Sequence, residues 1–145
     1  MFGKKQKKGF TLIEMLIIVA IVAALVTVIV PTVSTASLKA QAATDAANLR
    51  TILGILNVQV VDGEQTVDEI ISNAAHPVSK VDNDATLCVV YDAPGFIDVY
   101  YVNQSTGKYY GLDYLSDVAT NGTSSLSTDA PTVPDGSVWY TVQGE

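Results

Sequence analysis

The chain has a single cysteine, Cys88, among 145 residues, so no intrachain disulfide can form. The C-terminal region must instead be held by strand pairing and packing, or by a metal. Cys88 lies in Leu87-Cys88-Val89-Val90 and reads as a buried small hydrophobe rather than a reactive thiol. Histidine is equally scarce. His76 stands alone, without a second ligand near it in sequence, and reads as a helix-end residue. Gly9, Gly54 and Gly63 are isolated, and no GxGxxG or phosphate loop occurs. Without a nucleophile–base pair or a metal-ligand motif, nothing in the sequence supports an enzyme. Basic residues are sparse beyond the N-terminus: Lys39, Arg50, Lys80 and Lys108 face all fifteen acids from residue 10 onward, a balance of −11. Phosphate binding needs clustered Lys and Arg, so direct nucleic-acid binding is not expected.

What is present is concentrated at the start. Lys4, Lys5, Lys7 and Lys8 precede Gly9, then Phe10-Thr11-Leu12-Ile13-Glu14, then an apolar run to Val33. From Met15 to Leu38 there are 24 residues without a charge. That is long enough to span a bilayer. Four lysines on a short flank keep the N-terminus cytoplasmic and send the polar remainder outside. Glu14 is the anomaly. A carboxylate in an apolar span costs about 2.5–3.5 kcal/mol at a helix centre and less near an end, so it is a functional candidate by default. An anchor that only has to sit in lipid has no use for it. An ordinary signal anchor explains the lysines and the run, but not Gly9-Phe10 or the position of Glu14. A cleaved secretory signal fits less well, because the run ends in bulky Val28-Ile29-Val30-Pro31.

Lys7-Lys8-Gly9-Phe10-Thr11-Leu12-Ile13-Glu14 resembles the class III signal of type IV prepilins and pseudopilins, and Pro31 falls where many of these proteins have a proline in the first helix. The resemblance covers residues 4–33 and implies the following. A membrane-embedded prepilin peptidase cuts between Gly9 and Phe10, removing a leader of residues 1–9, and the new Phe10 amine is methylated. The subunit waits in the cytoplasmic membrane as a single-pass protein with its C-terminal domain outside. An inner-membrane assembly platform and an assembly ATPase then draw it into a helical homopolymer at the cell surface. In that polymer Glu14 of one subunit neutralises the Phe10 amine of a neighbour, since either charge alone would be stranded in an apolar core. The expected role is a structural subunit of a pilus for adhesion, surface motility or colonisation. The alternatives are a pseudopilin of a secretion or DNA-uptake system and, more remotely, an unprocessed membrane-anchored domain. Many Gram-negative pilins close a C-terminal loop with a disulfide. The lone Cys88 departs from that pattern and leans toward a Gram-positive source.

The rest of the chain fits an α+β fold in which a long N-terminal helix backs a small antiparallel sheet. Residues 10–61 read as one helix of about 78 Å at 1.5 Å per residue. Residues 10–33 form its apolar part and 34–61 its amphipathic part, with 62–145 as a globular head. Leu38, Ala42, Ala46, Leu49, Ile52, Leu53, Leu56 and Val60 make one stripe. Lys39, Asp45, Asn48 and Arg50 decorate other faces. A kink is expected at Pro31, and Gly54 suggests close packing against a neighbouring element. Asp62-Gly63 ends the helix. Thr66 and Glu69 have the spacing of a capping box, opening a short helix from Val67 to about Ala75. Thr86–Tyr91, Phe96–Val102 and Lys108–Leu112 read as a three-strand meander, with Ile97, Val99 and Tyr101 facing inward. Val138–Val142 adds a last strand.

Between Tyr114 and Gly136 the sequence turns polar and small, and reads as an exposed loop. Four readings stay open there: a plain solvated loop, O-glycosylation of the Ser/Thr cluster, receptor contact, and calcium held by some of Asp113, Asp117, Asp129 and Asp135. Calcium takes several oxygen ligands. The spacing is not that of an EF-hand, and the calcium reading leans on the C-terminal calcium loop of major pseudopilins.

Overall fold

The structure, a computed structural model, describes residues 9–63, 65–73 and 77–142. Lys4, Lys5, Lys7 and Lys8, His76 and the end of the short helix expected at Ala74–Ala75 lie outside the described residues. The chain divides into two compact units, one ending at Thr35 and the other beginning at Ala36.

The first unit is helical. Helix α1 runs Leu12–Asp62, beginning here and continuing in the second unit. It stays helical through Pro31. Around that residue the hydroxyls of Thr32, Ser34 and Thr35 donate to the carbonyls of Val28 and Pro31. These are local side-chain bonds back to the carbonyls three and four residues earlier, common for Ser and Thr within a helix.

The second unit holds the sheet. Helix α2 is Val67–Asn73, and the strands are β1 (Thr86–Asp92), β2 (Gly95–Asn103), β3 (Lys108–Gly111) and β4 (Val138–Val142). All pairings are antiparallel, in the order β3-β2-β1-β4. The expected meander is present, and the last strand adds beside β1. The fold is α+β and pilin-like: the long helix packs on a four-stranded antiparallel sheet. Ala42, Ala46, Leu49, Ile52 and Leu56 of α1 are buried in one core with Leu87, Val89, Val99 and Tyr101, while Leu38, Leu53 and Val60 lie half-buried at its margin. The stripe legible at helical spacing is therefore the packed face. The capping box is also in place. The Thr66 amide and hydroxyl each donate to Glu69 Oε2 at 2.9 Å, and the Glu69 amide returns a bond to Thr66 Oγ1.

Four expectations are corrected. Asp45 is not on a solvated face but fully buried. Its carboxylate accepts hydrogen bonds from Ser79 Oγ at 2.7 Å and from the amides of Lys80 and Val81, which fasten the 79–81 segment to α1. Gly54 does not mark close packing: it is exposed, and a Cβ there would meet nothing within 4 Å. Ile97 points outward, 42% exposed, because the register slips between Val90 and Tyr91. Val90 pairs with Asp98 and Tyr91 with Phe96, so Ile97 is the extra residue of a bulge and Phe96 takes the inward place. Finally, β3 stops at Gly111. What had read as the start of a loop is helix α3, Leu112–Asn121. Leu115 and Val118 bury on one side of it, and Lys39 Nζ and Arg50 Nη2 of α1 donate to Thr120 O and Ser116 Oγ. Gly122, with φ of 84°, closes α3 through its amide to Val118 O, a left-handed cap that favours glycine.

A second carboxylate links separate elements. Asp82 accepts from Asn103 Nδ2, Tyr110 Oη and the Asp84 amide. Burial pushes its pKa up, but those three bonds and the Lys108 charge outweigh burial and hold it below the ordinary value of 3.8. Burial and the same carboxylate push the Tyr110 hydroxyl up to about 12.

Two outcomes follow for the detergent-solubilised chain. Asp45→Ala strands three donors at a buried site and should lower head stability by about 3 kcal/mol in denaturant unfolding, with Asp45→Asn losing less. Wild-type midpoints for both would remove Asp45 from its fastening role. A carboxyl whose pKa is depressed by folding stabilises above its unfolded value and loses that contribution as pH falls through the folded one. The melting temperature should therefore drop as pH falls below about 4, and Asp82→Asn should flatten that drop. An unchanged slope would show that Asp82 does not contribute to it.

Candidate functional site

The N-terminal turn of α1 is organised by a motif not read from the sequence. Thr11 precedes the first helical residue, and its amide and hydroxyl both donate to Glu14 Oε2 at 2.9 Å. The Glu14 amide donates back to Thr11 Oγ1 at 3.3 Å. This is a capping box, the same geometry as Thr66–Glu69. It explains why the helix starts at Leu12 and not at Phe10. It also corrects the view that an anchor has no use for Glu14: the carboxylate satisfies donors at a helix start, where negative charge is also favourable. The signal for it in the sequence is the spacing Thr11-x-x-Glu14. Both bonds fall on Oε2, which leaves Oε1 out of the box.

Around this turn the surface is apolar. Phe10 is 75% exposed, and Leu12, Ile13, Leu16 and Val19 are exposed after it. Every described residue from Gly9 to Ser37 is exposed. α1 contains a stretch long and apolar enough to cross a membrane, none of it buried. Water does not tolerate an apolar surface of that size on a soluble chain, so lipid or other protein must cover it.

The four aspartates singled out in the C-terminal region do not form one group. Asp113 and Asp117 are on α3, while Asp129 and Asp135 are in the segment after it. Hydrogen bonds from Ser124 and Asn121 hold the Asp117 carboxyl below its ordinary value, and Asn121 Nδ2 reaches it at 2.6 Å. Asp129 accepts from Ser127 Oγ. Among the described residues no three His, Cys, Asp or Glu side chains come together as a metal site. Asp98, Asp113 and Asp129 stand apart on the walls of one groove of about 620 Å³. Asp98 was not a candidate; its place on β2 became relevant only once α3 and the 126–132 segment were set beside it. Cys88 is buried, and burial pushes its thiol up, as suits a structural residue.

Residues 4–30 match the family described as the prokaryotic N-terminal methylation motif. No curated protein and no solved structure matched the chain. The matched segment is the class III prepilin signal typical of type IV pilins and pseudopilins. The chain thus carries a prepilin-like signal at its N-terminus, over 27 of its 145 residues. The signal implies processing by prepilin peptidase and assembly into a filament, and the exposed apolar helix is consistent with membrane anchoring beforehand.

Proposed function

We propose that this chain is the structural subunit of a type IV pilus serving adhesion, surface motility or colonisation, cleaved between Gly9 and Phe10 and methylated at the Phe10 amine. The observation that carries the assembly mechanism is the Thr11–Glu14 capping box. It fixes the carboxylate at the N-terminal end of α1 while using only Oε2. Cleavage creates a cation at Phe10, within one turn of that carboxylate. In a filament core, Glu14 Oε1 of one subunit is the acceptor for the methylated Phe10 amine of another. Burying either charge unpaired would cost several kcal/mol, so the pair sets the axial register. The continuous apolar surface from Leu12 to Val33 supplies the remaining contact, first with lipid and then with copies of itself. Within that surface Pro31 is a point at which the helix can yield on leaving the membrane. Assembly requires the membrane platform and ATPase that such signals serve. The aspartates of the C-terminal region are not assigned to calcium, given their dispersal.

Mass spectrometry of material sheared from cells should find N-methyl-Phe10 as the first residue, with Glu14→Ala subunits still processed but depleted from the sheared fraction at least tenfold. An intact Met1 leader confined to membranes would reduce the chain to an anchored domain. Processing without visible surface fibres would shift it to a pseudopilin. Normal fibres built only from Glu14→Ala subunits would remove the charge-pairing mechanism.

A further inference from the structure

The two edges of the sheet are finished differently. β3 closes one side and β4 the other. The β3 edge is guarded. That strand has four residues and begins on Lys108, and its Tyr109 amide donates away from β2, to Thr128 O at 2.7 Å. β4 has no such protection. Val138-Trp139-Tyr140-Thr141-Val142 contains no charge, no proline and no glycine. Its pairing with β1 runs in unbroken register from Tyr91↔Val138 to Leu87↔Val142. Charge, proline, bulges and cover are the usual means of blunting an edge, and β4 uses none of the first three. On its far side alternate residues turn N–H and C=O groups away from β1. Among the described residues no hydrogen bond links the β4 backbone to any element but β1. Helix α2 comes close to β4, yet Val138 is 46% exposed, Trp139 is 37% exposed, and Thr141 is exposed as well.

An open edge specifies its occupant more narrowly than an apolar patch does. Another extended strand is what matches its repeating donors and acceptors. Charge and symmetry then select which strand. Like charges placed opposite each other are destabilising, and a second β4 brings none. The acids nearest in sequence, Asp135 and Glu145, stand outside the strand, and Asp135 sits within the turn that the Ser137 amide closes on Pro134 O. The β3 edge of a second copy is already bonded to Thr128. Two β4 strands running antiparallel about Tyr140 are self-complementary, as a two-fold interface requires. Tyr140 then meets Tyr140 of the second copy. Trp139 and Thr141 share the outer face, where Trp139 packs with Tyr100 and Tyr109 and Thr141 pairs with Cys88. In the pair each Trp139 stands opposite Thr141 of the other copy, an aromatic–β-branched match made twice.

We propose that the free edge of β4 binds a second copy of this chain by antiparallel pairing with its β4, joining two heads through one continuous sheet. The pairing belongs to the head and does not depend on which filament, if any, the chain builds.

The test uses the full chain in detergent micelles. Hydrogen exchange is followed in the peptide carrying residues 138–142 as protein is raised to about 1 mM. The outward β4 amides should slow by about fivefold or more, in step with dimers seen by sedimentation velocity, while β3 amides keep their rates. In a pair centred on Tyr140 the two residues 141 are diagonal neighbours about 7–8 Å apart, within reach of long side chains. Thr141→Lys sets two cations there and Thr141→Glu two anions, so each variant alone should dimerise about fivefold more weakly. An equimolar mixture of the two should recover the dimer. Unchanged exchange of β1 and β2 amides reports an intact head in both variants. No response of the β4 amides to concentration, dimers insensitive to both substitutions, or no recovery in the mixture would overturn the proposal.

Discussion

The face of α1 that carries Ala42, Ala46, Leu49, Ile52 and Leu56 is the constraint on which the head is built. An apolar stripe of this length is unfavourable in water, and the sheet covers it. Alanines at 42 and 46 bring the neighbouring chain close at one level, where Asp45 can reach the 79–81 backbone. Leucine and isoleucine further along fill the wider space against Leu87, Val89, Val99 and Tyr101. Burying each of Leu49, Ile52 and Leu56 contributes about 1.5–3 kcal/mol. Gly54 costs about 1 kcal/mol relative to alanine. The balance lets the helix run through a glycine that packs against nothing, and makes Gly54 an exposed weak link rather than a contact point.

How far the sequence could be read depended on the range of the interactions involved. The buried stripe, the Thr66–Glu69 cap and the meander were legible because each depends on spacings of four residues or fewer, or on alternation within a strand. Asp45 was not, because its partners lie 34 to 36 positions away and nothing local marks a carboxylate that will be fully satisfied on folding. Ile97 was assigned to the wrong face by one residue. Strict alternation has no means of showing a bulge, and a single extra residue reverses every orientation on one side of it. Helix α3 was hidden by its own composition. Leu112, Leu115 and Val118 recur at threes, but Asp113, Ser116 and Asp117 between them, and Thr120 and Asn121 after, resemble the loop that follows. The groove depends on the same helix, whose first turn carries Asp113 to a wall of the groove that Asp98 and Asp129 also line.

The two capping boxes bear on what Glu14 is for. Thr66–Glu69 and Thr11–Glu14 have the same contacts within about a tenth of an ångström: two donors to Oε2 at 2.9 Å, and a return bond at 3.4 and 3.3 Å. Glu69 opens a seven-residue helix in the head, where the cap is its whole local task. Capping is therefore sufficient to account for a glutamate at the third helical position of α1, and the apolar setting alone is not evidence of a second task. The difference lies one residue before each cap. Gln65 precedes Thr66 as an ordinary peptide-bonded residue. Phe10 precedes Thr11 at the point where the proposed cleavage frees an amine. A cap that spends one oxygen on Thr11 leaves the other free for such a cation on a neighbouring copy, at the end of a surface with no other charge until Lys39. On this reading the cap positions Glu14 and the cleavage supplies its partner. The proposed charge pairing then rests on the oxygen that the cap does not use, with no need for the premise that a carboxylate in an apolar helix must be functional.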